Sequence, residues 1–455
     1  MVRAAVRDWA DSFVALWRGT AGVWRVTAPR LVAILTVSWT ASRVLQLSAS
    51  AMGIMVRSQE VDVATDTMNI DVRTVATWNQ WVAILLVSIS LLALLVGLIM
   101  ALRALGDCLS ARAGVPIADD SRPSLYRVLS VTLLAFLGIY SVFDQVGAII
   151  NRVISDALML NRDPLVTLFA PLMPATWQDA SLVVGVIAAA FLLRRVAEQR
   201  ADSTGNSGLG LLAAVLESFY LFAFFIVGRG LILQARTWLV YRTLALWTQD
   251  ATDWLGTPLR WLKLSLPDLA TAAWAWFWDV GWPVVLSSML QPLLWLALAS
   301  LVLGSGIKTF GELLEAGHLR AAVARRTRGA RVATRVTDVL ERHGTAARHV
   351  QDAVLSNVDD KSLPILHSLR STLRGGVGFL GAFVVAFALL GLAETWAAYG
   401  LDVLVGPRDF STEQFLDNFK RLVVYVVFMS ARLALLAAAF AQVAAHTSAK
   451  TAVTA

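Results

Sequence analysis

Residues 82–102 read VAILLVSISLLALLVGLIMAL, 21 positions without a charged side chain. The hydrocarbon core of a bilayer is about 30 Å thick and is crossed by roughly 20 apolar residues of helix. The stretch therefore predicts a transmembrane helix. Three others read the same way: Val284–Leu303, Gly376–Ala393 and Leu422–Ala445. Val128–Ile150, Ser181–Leu193 and Leu209–Gly228 are weaker, each being short or carrying one acidic residue. Leu31–Met55 is weakest, because Arg43 falls near its middle among several serines. The fold expected is all-α, a polytopic helical membrane protein of about eight spans.

Composition points the same way. Of 455 residues, 57% are hydrophobic and 16% charged, against roughly 45–50% and about 25% in soluble domains. With a mean hydropathy of +0.65, this excludes a soluble globular enzyme, a disordered chain and a coiled coil. A single cysteine, Cys108, excludes a disulfide framework or a cysteine metal site.

Arginine and lysine test the span count separately, because cytoplasmic flanks are enriched in them. Taken alternately, the segments outside the eight spans hold 25 basic residues on one side and 12 on the other. Both termini are then cytoplasmic and the membrane is the plasma membrane. Omitting the span at 31–55 would invert every later loop, so the charges argue for keeping it. No short apolar run ending in a small-residue cleavage site opens the chain, so no cleaved leader is expected. Val2, Val6, Trp9, Phe13, Leu16 and Trp17 instead share one helical face. That pattern suits a helix lying on the inner leaflet or packed on the protein's own cytoplasmic helices.

The chain thus divides into an amphipathic helix (1–30), a six-span region (31–304), a basic helical cytoplasmic segment (305–375), a two-span hairpin (376–445) and a cytoplasmic tail (446–455). Within the six-span region, the outer segment 229–283 holds eight of the 17 tryptophans. Trp247, Trp254 and Trp261 recur every seven residues as one helical stripe, expected to anchor at the headgroup layer. An aromatic site for a sugar or quaternary amine is the alternative. In the basic segment, Arg320, Arg325, Arg326, Arg328, Arg331 and Arg335 cluster without interleaved aromatics. Such a patch fits the anionic inner leaflet or an acidic cytoplasmic protein better than nucleic acid, which is not expected. Self-association is compatible with these surfaces.

No catalytic or nucleotide-binding motif appears, so no enzyme, cofactor or metal is expected. What stands out is charge at membrane depth. Arg43, Glu217 and Arg432 each fall near mid-span, where a charge costs about 2.5–3.5 kcal/mol on insertion scales and must face the bundle interior. The expectation is one cluster, with Glu217 bridging Arg43 or Arg432, as a structural pair or as part of a pathway. Asp144 and Glu394 are expected as shallower polar positions near outer span ends. The sequence is read first as a non-catalytic membrane assembly or anchoring component with a cytoplasmic docking module. The alternative is a transporter or channel for an ion or anionic small molecule.

Overall fold

The computed structural model describes residues 2–66, 73–113, 125–142, 145–161, 169, 172, 177–240, 272–273, 276–304, 377–407 and 409–454. Asp144, the Trp247, Trp254 and Trp261 stripe, and the basic segment with Arg320, Arg325, Arg326, Arg328, Arg331 and Arg335 lie outside the described residues. The described elements are helices: α1 (Val2–Asp66), α2 (Arg73–Ala113), α3 (Leu125–Val142), α4 (Gln145–Asn161), α5 (Trp177–Thr204), α6 (Ser207–Val240), α7 (Gln291–Gly304), α8 (Val377–Val405) and α9 (Phe410–Thr454). Ahead of α7 the chain is wound partly as π-helix, over Phe277–Gly281 and Leu286–Leu290. The cause is in the sequence. Pro283 and Pro292 offer no N–H to the carbonyls of Asp279 and Ser288 four residues earlier, and both carbonyls lie in π turns.

Among the described residues, five helical stretches are long and apolar enough to cross a membrane: Trp9–Met52, Trp78–Leu109, Ser207–Gly228, Gly378–Val405 and Leu416–Val443. The three further spans expected from hydropathy take other forms. Val128–Ile150 is a broken unit, Thr132–Tyr140 and Gln145–Ala157, bent by 70° between α3 and α4. Counted as one span, it makes six. Ser181–Leu193 is the apolar first half of α5, whose second half carries Arg194, Arg195, Glu198 and Arg200. Within Val284–Leu303 the apolar helix is Ser288–Ser300, which at 1.5 Å per residue extends only about 20 Å.

Residues 1–30, expected as an amphipathic helix on the inner leaflet or packed on the protein's own helices, are continuous with the helix that follows: α1 runs unbroken from Val2 to Asp66, with Leu16, Val23, Leu31 and Leu35 buried. It lies antiparallel to α9. Gly19 faces Ala438, the Trp24 indole donates to Ser430 Oγ at 3.0 Å, and Arg43 Nε donates to Asn418 Oδ1 at 2.9 Å. The part of α1 paired with α9 therefore begins well before Leu31.

α2 lies in the centre, with Leu91, Leu95, Leu98, Ile99 and Leu102 fully or nearly fully buried. Serine is tolerated in this apolar stretch because Ser88 and Ser90 donate back to the carbonyls of Leu85 and Val87. α6 docks on the same turn through Ser218 Oγ, which donates to the Ser88 carbonyl at 2.8 Å. α5 and α6 form a hairpin whose turn holds Gly205 at φ +64°, a left-handed conformation that glycine adopts without a Cβ clash. On the other side, α8 and α9 turn through Gly406 at φ +71°.

Candidate functional site

The mid-span charges do not gather into one cluster. Each finds a different partner on a different helix. Arg43 of α1 forms a bidentate pair with Asp156 of α4, Nη1 to Oδ2 at 2.6 Å and Nη2 to Oδ1 at 3.0 Å. Because Arg43 also meets Asn418, near the start of the α9 span, it sits toward one end of the bundle rather than at its middle. Glu217 of α6 pairs with Arg194 of α5 at 3.4 Å, and Arg194 also reaches Glu198 at 3.0 Å. Arg432 of α9 pairs with Glu394 of α8 at 2.5 Å. Glu394 is not at a span end, because α8 continues to Val405, about 17 Å beyond it at helical rise. The Arg432–Glu394 pair is therefore the one near mid-span in both of its helices.

Glu217 and Arg194 are closed in, at 2% and 3% side-chain exposure. Neither lines the cavities described below. Glu217→Gln is expected to lower stability by about 1–3 kcal/mol, as for a weakened charged hydrogen bond in the interior. It should leave solute movement through the bundle intact. Thermal unfolding and flux measured on the same preparation check both halves of this expectation.

The open charges lie elsewhere. A cavity of about 420 Å³ is lined by α1, α2, α3, α4, α8 and α9, with Arg43, Arg152, Lys420 and Arg421 against Glu394, Asp402 and Asp417. A second, of about 360 Å³, lies beside it against α7, with Trp295, Phe387 and Arg432 in its wall. Tyr140, Gln145, Glu394 and Tyr425 line both, so these four side chains form the boundary between two adjoining chambers. The break between α3 and α4 makes this possible, since Tyr140 ends one arm of the bend and Gln145 begins the other.

Three of the four cations lining the first chamber make direct ion pairs. Arg43 has Asp156 and Arg421 has Asp417 at 2.5 Å. Lys420 has both Asp402 at 2.5 Å and Glu413 at 2.7 Å. Arg152, one helical turn before Asp156, makes no hydrogen bond or ion pair among the described residues. It is nonetheless close enough to feel Arg43 and Arg421 as well as Asp156 and Asp417. With the partners just outside the lining included, Arg43, Arg152, Lys420, Arg421 and Arg432 stand against Asp156, Asp402, Glu413, Asp417 and Glu394, so the charges balance, and Arg152 is the lining cation without a direct ion pair among the described residues. Among the described residues no group of three or more His, Cys, Asp or Glu side chains is placed to hold a metal ion.

Sequence reasoning named Arg43, Arg432 and Glu394 but missed Arg152, Asp156, Lys420, Asp402 and Asp417, which were counted as loop or flank charges. A signal was present. Trp39, Ser42, Arg43, Gln46 and Ser50 follow helical spacing on α1, as do Gln145, Arg152 and Asp156 on α4 and Glu394, Ala398 and Asp402 on α8. No family model, no curated protein and no solved structure matches this chain.

Proposed function

We propose that the protein is a non-catalytic membrane protein that takes a small anionic solute into the helical bundle and passes it across the bilayer. Its support is the two-chamber cavity, above all Arg152, a lining cation that makes no direct ion pair among the described residues while the other three each do. An arginine presents five N–H donors in a planar fork suited to carboxylate, phosphate and similar oxyanions. The first chamber falls within the usual size of small-molecule sites, roughly 300–1,000 Å³. With both termini cytoplasmic, as the alternation of basic segments favours, the chamber of Arg152 lies toward the outer face and Arg432 deeper. Eight spans in the plasma membrane belong to the same proposal. The docking role expected for the basic segment 305–375 is separate and rests on its charge alone.

Proteoliposomes test this reading with four salts: chloride, inorganic phosphate, glutamate and succinate. At least one should cross faster than in protein-free vesicles. Arg152→Gln should lower that flux about tenfold or more, the equivalent of roughly 1.4 kcal/mol of anion binding. Its thermal stability should stay within about 1 kcal/mol of wild type, because Arg152 makes no hydrogen bond or ion pair among the described residues and its attraction to Asp156 and Asp417 is offset by repulsion from Arg43 and Arg421. Protein-free rates for all four salts would count against the reading.

A further inference from the structure

Glu394 stands in the wall common to both chambers, and Arg432 holds it through one short contact, Nη2 to Oε2 at 2.5 Å. The pair differs from Arg194 and Glu217 in opening onto the cavities: the side chains are 24% and 30% exposed, against 3% and 2%. Its partners can therefore be exchanged without the helices separating.

Arg432 is positioned by more than its carboxylate. Its guanidinium carbon lies 5.4 Å from the centroid of the Phe387 ring, a cation–π contact. Its Nη2 fits beside Gly391, where an added Cβ would stand 3.5 Å away. Its buried Nε has no hydrogen-bond partner among the described residues. Arg432 would thus remain in place if Glu394 let go, with donors free for another oxyanion.

Charged and titratable groups from five helices line the two chambers together with Glu394. Arg432, Tyr425, Lys420, Arg421 and Asp417 belong to α9, and Tyr140 to α3. Arg152 lies on α4, Arg43 on α1, and Asp402 two turns along α8 itself. An anion drawn in by Arg152 meets Arg432 next, and there it competes with Glu394 for one guanidinium. Two negative groups on one cation repel, and the conflict is relieved when the carboxylate becomes the neutral acid.

We infer that Glu394 is a proton-coupling site. The solute's anionic group binds Arg432 as Glu394 takes a proton from hydronium in the chamber. The proton returns to water when the anion leaves and the ion pair re-forms. No other bond is made or broken, and one proton moves with each anion in the same direction, so that a monovalent anion crosses without net charge. The inference rests on the anion-pathway reading and adds to it the identity of the coupled ion.

The test uses the full chain in proteoliposomes holding the pH dye pyranine, with an inward gradient of whichever of the four salts crosses. In wild type the lumen should acidify in step with anion entry, and entry of a monovalent anion should depend little on a potassium–valinomycin potential. Glu394→Gln should lower protons moved per anion at least tenfold, and the remaining flux should follow the imposed potential. Glu394→Asp should retain coupling and serves where the glutamine variant carries no flux. Wild-type anion entry with a flat pyranine signal overturns the inference but leaves the anion pathway standing. Proton movement undiminished in Glu394→Gln overturns it too. Absence of any anion flux overturns both readings together.

Discussion

Asp156→Ala will destabilise the folded bundle by about 3–5 kcal/mol, the range seen when one member of a buried ion pair is removed and the other is stranded. Arg43 and Asp156 have side-chain exposures of 8% and 10%. Both carboxylate oxygens accept from Arg43, leaving its Nε for Asn418. Without the carboxylate, a guanidinium remains desolvated beside Arg152 and Arg421. A companion variant separates this from simple loss of packing. Arg43→Met combined with Asp156→Leu removes both charges while keeping volume, and should regain most of the loss, since paired apolar replacements are often neutral or stabilising. Unfolding by heat or by titrated SDS in mild detergent measures both. A loss below about 1 kcal/mol for Asp156→Ala would place the pair at the ordinary level of a solvated contact and contradict its burial. The consequence reaches the cavity, because the same pair fixes α4, and with it Arg152, against α1.

That pairing also shows where the sequence could be read and where it could not. Hydropathy identified the middle of α2, residues 82–102 of Arg73–Ala113, because an uncharged run of bilayer length needs no partner to be interpreted. For Arg43 the same window failed. It measured distance along the chain from apolar neighbours, whereas depth is set by the helix alongside, and that helix presents Asn418 at this level. Glu394 was placed too shallow for a related reason. Its apolar run stops at Ala393, but α8 continues through Thr395, Ala397, Ala398 and Tyr399 to Val405, because helix formation tolerates these residues where a hydropathy threshold does not. Partner choice was out of reach altogether. Glu217 with Arg194, and Arg43 with Asp156, join helices whose adjacency no single sequence declares. The polar stripes on α1, α4 and α8 were legible as helical spacing, and they mark the chamber better than the isolated mid-span charges do.

The α1–α2 seam yields a prediction whose sign is informative. At an ordinary helix position, Gly→Ala is worth up to about 1 kcal/mol of stabilisation from propensity. Gly97 should behave oppositely. A Cβ there would overlap both Cβ and Oγ of Ser38. Ser38 cannot swing aside, being buried and tied by its hydroxyl to the Leu35 carbonyl at 3.1 Å. Helices in a membrane gain little from the hydrophobic effect and depend on such close approach between small residues. α1 and α2 also form the most extensive helix pair among the described residues, so prising them apart forfeits much of that contact. Gly97→Ala is therefore expected to destabilise by about 1–3 kcal/mol, the usual cost of overpacking. Gly97→Leu should exceed that range and leave little monodisperse protein after detergent extraction. Ser38→Gly combined with Gly97→Ala should recover most of the loss, since it removes the Cβ being struck. Gly185→Ala on α5, where an added Cβ meets nothing within 4 Å, supplies the control and should be neutral or stabilising in the same unfolding assay. Equal behaviour of the two alanine variants would mean that Gly97 is not at a close helix crossing.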